Sequence, residues 1–344
     1  TLVLAGASYH TIEMPFRQPP AATARAWRPR RLVLAGLVVV AGTTTASLVA
    51  ASGYGVADDP VATRARLAEI AIEDGGYPAE CGGFSLTRGL RPCVIGAPAR
   101  RNVLFLGDSH AEPFYTHFEA GRPDHAFTFL TYGGCPPLPD TDKALPGSQC
   151  RDFLDAAWAR AESGDYQQVV LSAFWPVYVE PYQRGGDNNH LLCFEDDGDC
   201  RIERDPAQYR HHLAAAFDRL AARNRALRAR GIDVTLLSPV PFTDIDIPRE
   251  SVRRAFLGIQ PDALQPIAVE AIRAASAEAR PYLERLAAAS GAELIDPLAS
   301  MCDGAGCRVS DDGMLPLYRD SNHLTGSAIR NGRLDFIDAA VLKR

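Results

Sequence analysis

From residue 99 onward, short apolar runs alternate with helical patterns, and this alternation most limits the folds open to the chain. Strand candidates lie at 102–107, 126–132, 167–174, 232–238 and 292–296. Helical patterns lie at 110–120, 149–163, 206–230, 262–290 and 324–342. Strands buried on both faces read as continuous apolar runs, and the helices between them supply the crossovers that parallel pairing needs. The pattern therefore predicts an α/β three-layer sandwich around a mostly parallel sheet. In such sheets ligands bind in the crevice beyond the carboxyl ends of the strands. The residues where strands stop are the ones to examine.

The run "NVLFLGDSHAEPFY" (102–115) stops on Gly107-Asp108-Ser109-His110. Glycine here is expected to turn the backbone sharply out of the strand. Ser109 is then expected to open the helix at 110–120, whose amino-terminal field favours negative charge. A serine in that place is a helix N-cap or a nucleophile. Near the other end stands "LYRDSNHLTGSAIR", with Asp320 and His323 three residues apart. Serine is a poor nucleophile without a neighbouring base. His323 fits the base and Asp320 the acid that fixes its tautomer, the order of roles in a hydrolase-type triad. Singly, Ser109 reads as a cap, Asp320 as a turn residue and His323 as a surface histidine; only the combination points to chemistry. Asp108 and His110 read as framing residues. Gly-x-Ser-x-Gly is absent, since Ala111 stands at its second glycine, which disfavours an α/β-hydrolase elbow.

Eight cysteines fall as near neighbours: Cys81 and Cys93, Cys135 and Cys150, Cys193 and Cys200, Cys302 and Cys307. No C-x-x-C pair is present, so no metal site is expected, and local disulfides in an oxidising compartment are the better reading. Nearest-neighbour pairing is the simplest of the connectivities open. Residues 32–51, "LVLAGLVVVAGTTTASLVAA", carry no charge and suffice to cross a bilayer core as a helix. Arg17, Arg25, Arg28, Arg30 and Arg31 precede them with no acidic residue between, which places that loop in the cytoplasm and the remainder outside. A buried soluble helix is the alternative for 32–51. A formal net charge of −6 gives no reason to expect a nucleic-acid partner. Residues 52–98 read as a connector with a short helical pattern ended by Gly75-Gly76. The segment 176–205 reads as a loop excursion of the kind that carries function.

"GDSH" (107–110) and "DSNH" (320–323) resemble the first and last motif blocks of the SGNH (GDSL-like) hydrolase superfamily. "YGGCPPLP" (132–139), "VVLSAFW" (169–175) and "CRVSDDGMLPLYRDSNHLTGSA" (307–328) are similar to one branch of it, the SGNH domains fused behind acyltransferase-three membrane domains. "SYHTIEMPFR" (8–17) resembles the end of the last membrane helix of such an acyltransferase domain. The resemblance implies residues 1–20 as the end of a truncated membrane domain, 21–51 as an arginine-rich loop and transmembrane helix, 52–98 as the connector and 99–344 as the catalytic domain. It further implies Ser109 as the acyl-accepting nucleophile, with Asp320 and His323 completing the triad. The backbone amides of Ser109 and of Gly133 or Gly134 become the expected oxyanion donors. The third block departs from the superfamily: "SAFW" stands where Gly-x-Asn-Asp is expected, so no asparagine serves as a donor there. Trp175, at that strand end, is expected to shape the pocket.

The activity implied is transfer of a short acyl group, acetyl in the first instance, through an acyl-serine to a hydroxyl of a cell-envelope carbohydrate. The acceptor is lipopolysaccharide, peptidoglycan or exopolysaccharide. No bound cofactor is expected; the membrane domain in the same chain would supply the acyl group from acetyl-CoA. The expected location is the inner membrane, with the SGNH domain in the periplasm. An esterase using the same triad is the nearest alternative, and a non-catalytic carbohydrate-binding domain the more distant one.

Overall fold

The computed structural model describes residues 60–163, 165–180, 190–194, 205–259, 264–304, 306–311 and 315–343. The expected transmembrane helix and arginine loop, and Cys200, lie outside the described residues. Among those described, no helix is long and apolar enough to cross a membrane.

Residues from Pro60 onward form a compact unit. It begins with α1 (Pro60–Glu73), followed by the edge strand β1 (Cys93–Ile95). Next come β2 (Arg101–Gly107), α2 (Pro113–Phe118), β3 (His125–Thr131), α3 (Cys150–Ala161), β4 (Gln168–Ser172) and the single turn α4 (Trp175–Val179). The long α5 (Pro206–Ala229), β5 (Asp233–Leu237), α6 (Ile247–Phe256), α7 (Val269–Ala275), α8 (Ala279–Ser290) and β6 (Glu293–Ile295) complete the layers. The sheet order is β6-β5-β4-β2-β3-β1, with every pair parallel except β3 with β1. Expected strands and observed strands agree to within a residue or two.

Side-chain alternation on the central strands divides the interior into two layers. Leu104, Leu106, Val169 and Leu171 face α3, α5 and α8 through Phe153, Trp158, Leu213, Leu220 and Leu286. Val103, Phe105, Phe127, Phe129 and Val170 face the opposite way, onto Phe114 and Phe118 of α2 and onto Leu317, Ile329, Leu334 and Ile337. The chain leaves β2 in one direction for β3 and returns to the other side for β4. The switch point therefore lies between the carboxyl ends of β2 and β4, where a doubly wound sheet opens a crevice.

Several expectations change. Within the stretch read as a connector, α1 packs on α6, and β1, which the strand pattern did not include, closes the sheet edge. The pattern at 262–290 is two helices, α7 and α8, and the stretch expected as one helix over 324–342 is broken into short pieces around Asn331 and Gly332. The first helix after β2 starts at Pro113 rather than residue 110. Ser109 therefore lies in the preceding turn and neither caps nor opens α2. Disulfides join Cys81–Cys93, Cys135–Cys150 and Cys302–Cys307, and Cys193 is also disulfide-bonded.

Candidate active site

Gly107 shows how the site is framed. It is the last residue of β2, paired with Thr131 on one side and Ser172 on the other. A Cβ added at Gly107 would overlap the carbonyl of Ser172. Its φ is not positive. Glycine is therefore present for close approach of two backbones, rather than for the sharp turn expected from the sequence.

Beyond it, Asp108 ties the β2 end to the β4 end. Its Oδ1 accepts from the His110 amide at 2.8 Å. Its Oδ2 accepts from the Phe174 amide at 3.0 Å and from the Tyr178 hydroxyl at 2.7 Å. Burial pushes this carboxyl up from its ordinary range, against the pull of those three donors. With its acceptor capacity committed to structure, Asp108 frames the turn that presents Ser109.

The Ser109 hydroxyl lies 2.8 Å from His323 Nε2, and His323 Nδ1 lies 2.7 Å from Asp320 Oδ2. Asp320 Oδ1 also accepts the backbone amides of Asn322 and His323, each at 2.8 Å. Burial works against the charge on Asp320, but the His323 ring and those two amides outweigh it and hold the carboxyl below the usual range. An ionised Asp320 fixes the Nδ1–H tautomer, which leaves the Nε2 lone pair facing Ser109. The sequence thus identified three residues that the fold brings together across a separation of 214 positions.

Other segments clasp the loop that carries Asp320 and His323. The amides of Thr243 and Ile247 donate to the carbonyls of Ser321 and Asp320, at 3.0 and 3.4 Å. Behind the loop, the Asp74 carbonyl accepts from the Gly326 amide at 2.8 Å, and its carboxylate accepts from the Ser327 amide at 2.7 Å. His110 supports the same loop from the Ser109 side. Its Nε2 donates to Asn322 Oδ1 at 3.1 Å, and its ring lies between Phe174, stacked at 4.6 Å, and His323, tilted at 4.8 Å. Burial first, then the neighbouring His323, push the His110 pKa well below its ordinary value, so this imidazole stays neutral.

The turn after β3 carries Gly133 and Gly134. Tyr132 donates its amide to Gly107 O at 3.1 Å, which sets the turn beside the end of β2. The backbone amides of Ser109, Gly133 and Gly134 make no hydrogen bond among the described residues. Trp175 contradicts its expected role in shaping a pocket. It is fully buried, donates Nε1 to Leu237 O at 2.9 Å and lies 5.9 Å from Phe217, so it is a core residue. Glu112 had no signal in the sequence. Burial raises its carboxyl to about 7, with Asp108 adding to the shift while His323, Arg319 and Thr131 oppose it. Among the described residues, no cluster of His, Cys, Asp and Glu is placed to hold a metal ion.

A serine bonded to a histidine whose far nitrogen is held by an ionised carboxylate, beside free backbone amides, is the equipment for acyl chemistry. Residues 80–333 match the family described as "SGNH domain (fused to AT3 domains)", and the chain belongs to that family. Among solved structures, it resembles the periplasmic domain of the lipopolysaccharide acetyltransferase of Salmonella ser. Paratyphi A. Identity is 16%, the TM-score is 0.53, and the match covers 84% of this chain and 98% of that one. A putative acylhydrolase from Bacteroides fragilis is matched at 15% identity and TM-score 0.35, over 71% of this chain and 88% of its own. A GDSL-like lipase from Bacteroides thetaiotaomicron is matched at 15% and 0.33, over 80% and 99%. No curated protein matches the chain.

Proposed function

We propose that the chain is the extracytoplasmic part of a membrane-anchored O-acyltransferase that moves a short acyl group onto a hydroxyl of a cell-envelope carbohydrate. The Ser109–His323–Asp320 relay carries this reading. The Ser109 oxygen attacks the acyl carbonyl while His323 Nε2 takes the hydroxyl proton. The resulting oxyanion is held by backbone amides of the β2 and β3 turns. His323 returns the proton to the departing donor group, leaving an ester on Ser109. A sugar hydroxyl then gives its proton to His323 and attacks that ester, and Ser109 recovers its hydrogen as it leaves.

The disulfides support an oxidising location, and the apolar run 32–51 supports anchoring with the family's membrane domain as the source of the acyl group. The fold likeness to the periplasmic domain of a lipopolysaccharide acetyltransferase supports acetyl as the group and a carbohydrate as the acceptor. Hydrolysis is the second reading. It is favoured by the openness of the site, where the His323 side chain keeps 22% of its surface and Asp320 36%. Water reaches such a base unless the acceptor displaces it.

The test is the full chain supplied with an activated acetyl ester and oligosaccharides from lipopolysaccharide, peptidoglycan or exopolysaccharide. Acetylated sugar is the expected product. Acetate alone would make the protein an esterase, and neither product from folded protein would overturn acyl chemistry. Ser109→Ala and His323→Ala should each remove nearly all turnover, roughly 10³-fold or more, with the double variant little worse, because the pair acts as a unit. Asp320→Asn should cost less, and His110→Ala should retain substantial activity.

A further inference from the structure

Lys143 serves no purpose in the mechanism above, yet its ammonium is held against the turn that supplies the oxyanion donors. Its Nζ donates to Gly133 O at 3.1 Å and sits 5.3 Å from the centre of the Tyr132 ring, a cation–π contact on the residue just before. Built on Gly134, a Cβ would stand 3.5 Å from Nζ and 3.7 Å from Cδ, so the side chain lies along this turn. Lys143 is itself fixed. Residues Thr141–Lys143 pair with Leu192–Phe194, the Lys143 amide donates to Asp142 Oδ1 at 2.8 Å, and the Cys135–Cys150 disulfide closes the loop that holds it.

The chemistry follows from the planarity of one peptide group. Gly133 C=O and Gly134 N–H belong to the same trans amide and point in opposite directions. A cation on the carbonyl draws electron density toward the oxygen, which leaves the N–H on the far side more positive and a stronger donor. The same bond prevents rotation of that peptide, at a glycine whose φ of 69° would otherwise tolerate several orientations. The Gly134 N–H has no partner among the described residues, so its donor capacity is available. Partial burial pulls the Lys143 pKa down, with Asp142 opposing.

We infer that Lys143 is a positioning residue of the acyl-transfer site. Its ammonium orients and polarises the Gly133–Gly134 peptide, and thereby makes the Gly134 N–H, rather than that of Gly133, the second oxyanion donor beside Ser109. The inference rests on the acyl-serine reading given above.

The test compares Lys143→Met, Lys143→Arg and Ser109→Ala in the full chain, with release of an activated aryl acetate as the assay. Loss of a whole oxyanion donor costs about 10²–10³ in kcat, so loss of its polarisation alone should cost about tenfold. KM should stay within about twofold, and Lys143→Arg should recover most of the rate. Phenylboronic acid, which becomes tetrahedral and anionic on the serine, should lose affinity for Lys143→Met by a similar factor. Labelling glycine with ¹³C at the carbonyl and ¹⁵N at the amide isolates the Gly-Gly peptides, at 75–76, 82–83, 133–134 and 185–186. In the parent, the 133–134 amide proton should move downfield when the boronate binds, and in Lys143→Met it should move less. An unchanged kcat with an unchanged boronate affinity would overturn the role of Lys143. So would a loss seen in KM alone, or a 133–134 resonance indifferent to boronate. Should Lys143→Met fail to fold, Lys143→Arg decides through the same resonance: no downfield movement there overturns the inference. Ser109→Ala that still turns over would instead overturn the acyl-serine reading itself.

Discussion

Glu112 illustrates what a single residue contributes that no motif announced. Its carboxyl sits at about 7 because burial opposes its charge. The folded chain therefore holds a proton that the unfolded chain has released once the pH exceeds the ordinary value of 4.5. Stability from this group is complete below about 4.5 and is lost as the pH rises through about 7. Asp320 behaves in the opposite sense, its contribution being lost only in acid, so the two windows do not overlap. Glu112→Gln should leave the unfolding free energy near pH 4.5 unchanged and raise it at pH 8, by at most about 3 kcal/mol. Denaturant unfolding at the two pH values measures the difference; equal shifts at both would refute it. Ser109, Asp320 and His323 were legible because their types and order are tied to a reaction. His110 was legible as a framing residue, but its partner Asn322, 212 positions away, and the buried Glu112 were not, because neither that contact nor that burial has a local signature.

Strands β2, β3, β4 and β5 were legible to within a residue or two because a parallel strand buried on both faces must be continuously apolar. The edge strand β1 is only three residues long and exposes Val94, so it has no such signature. Helix α6 was missed because its buried side is only Ile247, Pro248 and Ser251, and its charged residues dominate the pattern. Trp175 was misjudged for a related reason: strand-end position is readable, but the side of the sheet a following turn faces is not. Gly107 belongs to the same scale, since its necessity arises between strands. Gly107→Ala sets a methyl against the Ser172 carbonyl, and neither backbone can withdraw without breaking the β2–β4 ladder. The substitution should cost about 3 kcal/mol or more in stability and displace Ser109 enough to abolish turnover. Thermal unfolding together with aryl acetate release would show it, and a variant as stable and active as the parent would disprove the close-approach account.

Across the compact unit, the segment that opens it supports the segment that closes it. Asp74, immediately after α1, holds Gly326 and Ser327, the residues that follow the His323 loop, although 253 positions separate Asp74 from Ser327. Asp74→Ala keeps the backbone bond to Gly326 but removes the charged acceptor from Ser327. A loss of about 2 kcal/mol in stability is expected, together with a fall in kcat and little change in KM, because His323, the proposed base, is less well held. Full stability with full activity would make the contact incidental. The arrangement also has a consequence for the order in which the protein gains its function. All six strands of the central sheet are specified before residue 296, whereas the proposed base arrives only with His323. A chain emerging amino-terminus first can assemble its sheet and present Ser109 before the proposed base is in place. On the proposed mechanism, reactivity begins only when the last segment is delivered and latched onto Asp74, so a stalled or clipped chain would release no active enzyme.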